Sequence, residues 1–151
     1  MGSRPQRVTD GGRPSASSVL PMSAMTDLAD LLGADRVLHH PLDLIVFAKD
    51  AGVTSGTVLA AVFPESTEEV SAIVRIAFTH GVPIVPRGAG TGLAGGAVAV
   101  DPGILIVMTR MDALRRIDEV GRTAWVGPGV INLDLSKRLA PLGLHFASDR
   151  A

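Results

Sequence analysis

Five glycines fall within the eleven residues Pro86 to Gly96, PRGAGTGLAGG, directly after the apolar run Val82 to Val85. Glycine adopts positive φ at little cost and has no side chain to keep a ligand away, so successive N–H groups in such a turn can converge on an anion. A phosphate or pyrophosphate is the natural guest. Other chemistry is thinly provided for. The chain holds no cysteine, which removes disulfides, thiolate nucleophiles and cysteine zinc sites. His39 and His40 are adjacent and diverge on any regular element, with no further ligand at metal-site spacing, so they read as surface histidines and no metal is expected. Arg87 reads equally as a neutraliser of phosphate charge and as a salt-bridging residue at the loop edge.

Two familiar phosphate loops can be tested against this stretch. A Walker loop needs Lys and then Ser or Thr after its last glycine, and Ala97 and Val98 stand there instead. A dinucleotide fingerprint is matched literally by Gly90, Gly92 and Gly95, with Asp112 downstream. That motif requires a helix to start inside it, and Gly95, Gly96, Asp101, Pro102 and Gly103 leave no room for one. A strand-end loop that itself cradles the anion is the reading carried forward, against a ligand-free Ala/Gly turn.

The elements that must position the loop are legible around it. LAAVF from Leu59 is a short apolar run ended by Pro64, and Ser66 with Glu69 forms a capping box for a helix. Val70, Ile73, Val74 and Ala77 make its apolar stripe, and His80 and Gly81 its basic last turn and stop. PIVP follows as a second buried strand, so a parallel strand pair is expected, with the loop at its end. After the turn Asp101 to Gly103, ILIVMT should be a strand buried on both faces. Leu114 to Val120 and Thr123 to Val126 read as a hairpin that makes the sheet mixed, and Trp125 as packed within it. Gly127 to Gly129 is a tight turn. Asn132 should cap a helix presenting Leu135, Leu139 and Leu142, and LHF should begin another strand carrying His145. Upstream, Thr26 to Leu32 is expected as a short helix capped by Thr26, and Val37 to Gly56 as an irregular packed segment in which Asp50 is a lone surface carboxylate.

Composition bounds the remaining possibilities. A length of 151 residues with 46% hydrophobic content supports one core. A net charge of -1, from 14 basic and 15 acidic residues, offers no field for nucleic acid or an anionic membrane. The longest apolar stretches, such as Gly103 to Met108, fall far short of the roughly 20 residues that span a bilayer, so no membrane span and a cytoplasmic location are expected. Residues 1–25 are rich in Gly, Pro, Ser and Arg and are expected to form a disordered extension, with Met22 or Met25 as alternative starts. The chain stops at Ser148 to Ala151 in the middle of a connection, and a mean hydropathy of +0.34 suits a piece that packs against further protein.

In its order of motifs the sequence resembles a known family. VFPESTEEVSAIVRIAFTHGVPIVPRGAGTGLAGGAVAV, then GILIVMTRM, then RRIDEVGRTAWVGPGVINLDLSKRLAPLGLHFASD are similar to the FAD-binding domain of the FAD-linked oxidases. This is the PCMH-type, vanillyl-alcohol-oxidase-like domain, and the likeness is greatest to the glycolate oxidase FAD subunit and D-lactate dehydrogenases. It covers about Val37 to Asp149, and by this resemblance Asp50 falls where relatives keep an aspartate in the segment before the first parallel strand. The resemblance implies an α+β fold, a mixed sheet with flanking helices, over residues 35–151 and C-terminally incomplete. It implies that backbone amides of the loop hold the FAD pyrophosphate, which carries onto Arg87, Gly88, Ala89, Gly90, Thr91 and Gly92, with Gly95 and Gly96 allowing close approach. Relatives with covalent flavin have a histidine where this chain has Thr91, so noncovalent FAD is implied. The family would transfer a hydride from a 2-hydroxy acid, of glycolate or D-lactate type, to FAD. Its substrate residues lie in a C-terminal domain, so no catalytic residue is named here, and substrate is expected only with that domain or a partner subunit. The alternatives are a truncated or partner-dependent module without activity of its own, and the FAD domain of a sugar or lactone oxidase.

Overall fold

A computed structural model of the chain describes residues 19–147. The expected N-terminal extension lies outside the described residues up to residue 18. Its last four residues, 22–25, belong instead to the first turn of a helix. This helix, α1 (Met22–Leu32), buries Ala24, Leu28 and Leu32 along one face. Pro21 occupies its cap position, and Thr26, expected there, donates its hydroxyl back to the Met22 carbonyl at 3.0 Å. Gly33 ends the helix at φ 86°.

Four strands form the main sheet: β1 (Val37–Leu38), β2 (Val58–Val62), β3 (Ile84–Arg87) and β4 (Gly103–Val107), in the spatial order β1-β2-β4-β3. β2 and β3 run parallel, as the strand–helix–strand pattern requires, but they do not pair with each other. β4 lies between them, parallel to both, with Ala61 and Val85 each opposite Leu105. β1 pairs antiparallel to β2, which makes the sheet mixed. The expected hairpin forms as β5 (Leu114–Asp118) and β6 (Thr123–Val126), but as a separate two-stranded sheet. β3 is therefore an edge strand with Ile84 and Pro86 exposed, not the buried strand expected, and Pro86 is tolerated there because an edge needs fewer ladder donors.

The central position of β4 explains its unbroken apolar run. All five of its residues are buried. Ile104 and Ile106 pack with Ala60 and Val62 against α1 and α3 (Thr67–Thr79), where Ile73 and Ala77 are buried. Leu105 and Val107 pack on the other face with Ala61, Ala99 and Leu44, the last from α2 (Pro41–Leu44). Val74, expected on the α3 stripe, is 39% exposed, and Ile76 packs in its place. Ser66 caps α3 by accepting from the Glu69 amide at 3.1 Å. The Glu69 carboxylate in turn takes a backbone hydrogen bond from Ser66, completing the expected capping box. It accepts from the Glu65 amide at 2.7 Å and takes both guanidinium nitrogens of Arg36, at 2.9 and 3.0 Å. That fork holds the Glu69 carboxyl below its ordinary pKa, chiefly through the hydrogen bond from Arg36. His80, at the end of α3, bonds Asp27 of α1 at 2.8 Å.

Helix α4 (Asn132–Leu139) follows the hairpin, with Ile131 at the cap position where Asn132 was expected; Leu135 and Leu139 are buried and Leu142 is 39% exposed. Leu144 to Phe146 form no strand, and His145 is exposed. Trp125 is 54% exposed and stacks with Arg116 across the hairpin at 5.2 Å, so its packing is on the surface and not in a core.

Candidate functional site

The glycine loop leaves the carboxyl end of edge strand β3 and reaches β4 without any helix, as Gly95, Gly96 and the Asp101 to Gly103 turn dictate. The literal dinucleotide fingerprint is therefore accidental, and Asp112 is simply exposed. Within the loop the glycines divide into two kinds. Gly90 and Gly95 have φ of 76° and 77°, a conformation costly for other residues. Gly90 also lies directly over the Arg87 guanidinium, which a side chain would strike. Those two glycines answer to the fold. Gly88, Gly92 and Gly96 do not have positive φ, and a Cβ added to any of them would meet no protein atom within 4 Å beyond its own chain neighbours.

Arg87 is buried and braces the loop from beneath. Its Nη1 donates to the Ala97 carbonyl at 3.1 Å, and the guanidinium rests over the Phe47 ring at 5.8 Å. Among the described residues it forms no salt bridge at the loop edge. Its charge lies behind the loop's backbone.

The segment before β2 holds the loop from the other side. Asp50, expected as a lone surface carboxylate, accepts from the Gly52 amide through Oδ1 at 2.8 Å and from the Gly95 amide through Oδ2 at 2.9 Å. Between them, the Ala51 amide donates to the carbonyls of both Gly90 and Gly92 at 3.1 Å. Thr57 N–H donates to the Ala99 carbonyl at 2.8 Å, closing the same seam. Asp-Ala-Gly is a sequence signal for the Gly52 half of this arrangement, since aspartate commonly bonds the amide two residues on. The Gly95 half spans 45 residues and has no local signal.

The loop's own donors are left for something else. The amides of Ala89, Gly90, Thr91 and Gly92 donate to no protein group among the described residues. Ala89 also borders a cleft of about 770 Å³ at the carboxyl ends of the parallel strands, with Thr109, Asp112, Gly129, Ile131 and Lys137 among its walls. This size is in the range of small-molecule sites, roughly 300–1,000 Å³. The turn Gly127 to Gly129 is fixed on the cleft's other side by bonds from Gly127 to the Ala113 carbonyl and from Gly129 to the Met111 carbonyl, at 2.8 and 3.1 Å. His39 and His40 are exposed, and the latter's ring accepts from the Leu42 amide as a helix cap. Among the described residues no group of three His, Asp or Glu is placed to hold a metal, and no helix is long and apolar enough to cross a membrane.

Residues 58–151 match the family described as FAD binding domain. The chain belongs to this family. Its cofactor is FAD, and a dinucleotide whose phosphates need amide donors and close backbone approach suits a loop with free amides and three unobstructed glycines. The FAD-binding domain is similar to the glycolate oxidase subunit GlcD of Escherichia coli K12, with 37% identity over 141 residues, 93% of this chain and 28% of the relative. It is similar as well to the D-2-hydroxyglutarate dehydrogenase of Stutzerimonas stutzeri, 39% identical over 92 residues, which cover 61% of this chain and 20% of that one. Among solved structures, p-cresol methylhydroxylase with substrate bound matches 82% of this chain and 25% of its own, with a TM-score of 0.73 and 26% identity. The fold is thus the PCMH-type FAD-binding fold, and the chain spans between 20% and 28% of the length of these relatives.

Proposed function

We propose that the chain forms the pyrophosphate-holding part of a flavin-dependent oxidoreductase that oxidises a 2-hydroxy acid of glycolate or D-lactate type. The observation that carries the reading is the trio Gly88, Gly92 and Gly96. None has positive φ and none faces a protein atom, so the folded chain alone would accept alanine there. In this reading glycine stands there for a group arriving from outside, beside amides that donate to no protein group among the described residues.

In this reading the backbone from Gly88 to Gly92 binds the phosphates, Gly95 and Gly96 let the cofactor approach, and Arg87 adds positive charge from behind. Bound FAD supplies a two-electron acceptor for the substrate's hydride. The 2-hydroxy-acid class is supported by the names of the relatives, glycolate and D-2-hydroxyglutarate being acids of that kind. Thr91 gives the loop no imidazole with which to bond a flavin covalently, so FAD is held by noncovalent contacts. Substrate oxidation draws on protein beyond these 151 residues, either in the same polypeptide or in a partner subunit, and takes place in the cytoplasm.

A second reading, in which the chain retains FAD only beside a partner, is favoured by apolar surface on the hairpin and α4, where Trp125, Ile131 and Leu133 are each more than half exposed. One experiment separates the two. The purified chain is mixed with FAD and passed through gel filtration, alone and with a separately expressed C-terminal protein of the family. Flavin co-eluting with the chain alone supports the first reading, and co-elution only with the partner supports the second. Flavin that separates in both runs overturns the cofactor site. Acid precipitation of a flavin-bearing sample should leave all flavin in solution; flavin in the pellet overturns noncovalent binding.

A further inference from the structure

We propose that Asp50 is a positioning residue for FAD, acting only through the backbone: it sets the direction in which the glycine loop presents its amides. The inference rests on the cofactor reading above and adds a residue outside the loop.

A carboxylate beside an anion-binding loop calls for explanation, because its charge opposes the ligand. Here both oxygens are engaged by backbone donors, Oδ1 by Gly52 and Oδ2 by Gly95. The first bond closes the turn 50–52 and so fixes the Ala51 N–H, which donates to the carbonyls of Gly90 and Gly92. All peptide bonds among the described residues are trans. In a trans peptide the C=O and the following N–H point in opposite directions. Carbonyls of Gly90 and Gly92 drawn toward Ala51 therefore turn the amides of Thr91 and Leu93 away from it, to the loop's other side. Neither amide has a protein acceptor among the described residues. The second bond ties down Gly95 at its positive φ and closes the span. Asp50 thus grips the loop at one end and aims it in the middle.

The geometry separates this role from general stabilisation. Asparagine has the shape of aspartate but one acceptor oxygen, so Asp50→Asn serves one of the two amides and sets an NH2 group against the other. The variant and the wild-type chain are titrated with FAD and with riboflavin, which lacks the pyrophosphate, and their thermal midpoints are measured without ligand. Asp50→Ala is carried alongside. The expected result is a rise of about tenfold or more in the Kd for FAD, the effect of one lost charge-assisted bond, with riboflavin affinity unchanged. A D50N chain that binds FAD as wild type does overturns the inference alone. Equal losses for FAD and riboflavin, or failure of both variants to fold, also overturn it, since Asp50 then serves the fold at large. Wild-type chain that binds no FAD overturns the cofactor reading and the inference with it.

Discussion

The Arg87 guanidinium occupies the space directly beneath Gly90, so that a methyl group at position 90 and the Nη2 atom would claim the same volume. Two loop glycines only two residues apart thereby acquire opposite roles, Gly90 facing protein and Gly92 facing open space.

For Gly90→Ala, positive φ and collision with a buried arginine act together. The variant should lose about 1–3 kcal/mol of stability, read from urea unfolding. Unchanged stability would mean that Arg87 moves aside freely and does not brace the loop.

Gly92→Ala should behave in the reverse way. Its stability should remain within about 0.5 kcal/mol of wild type, since the added Cβ meets no protein atom. FAD affinity, measured by flavin fluorescence, should fall by about tenfold or more as the methyl group holds the cofactor off. Retained affinity would place the phosphates elsewhere.

Acid sensitivity should trace in part to Glu69. Its carboxyl titrates below the ordinary glutamate value because Arg36 hydrogen-bonds the charged form. A folded-state pKa below the unfolded one adds stability that is present above the unfolded value, near ~4.3, and lost as pH falls through the folded one. Wild type should therefore melt above Glu69→Gln at pH 7, and the difference should shrink at pH 3. A difference independent of pH would assign the stabilisation to packing instead.

Ile104 tests the central place of β4. It is fully buried in the core under α1 and α3, so Ile104→Ala should cost about 2–5 kcal/mol in chemical denaturation. A cost below 1 kcal/mol would be incompatible with a close-packed site in the middle of the sheet.

How far the sequence discloses this molecule varies with the range of the interaction. The Ser66 cap, the apolar run of β4, the hairpin through Gly121 and Arg122, and the helix-free exit from the glycine loop are local, and all are legible. The insertion of β4 between β2 and β3 is not, since a helix between two strands dictates their parallel sense but not which strand lies between them. The start of α1 escapes because Pro21 offers no side-chain acceptor to mark it. Trp125 alternates like a core residue, yet the hairpin is a separate sheet and leaves that ring half in solvent beside Arg116. At the site, the glycine loop announces itself by composition, whereas Asp50 and the Ala97 carbonyl are tied to it by bonds across 45 and 10 residues.

The claim that this loop holds the FAD pyrophosphate is tested most directly by amide NMR of the isotope-labelled 151-residue chain during FAD titration. The account predicts that the largest shifts fall on Gly88 to Gly92 and Gly96, with ADP moving the same amides. Shifts confined to the apolar surface of the hairpin and α4, with residues 88–96 unmoved, would contradict it.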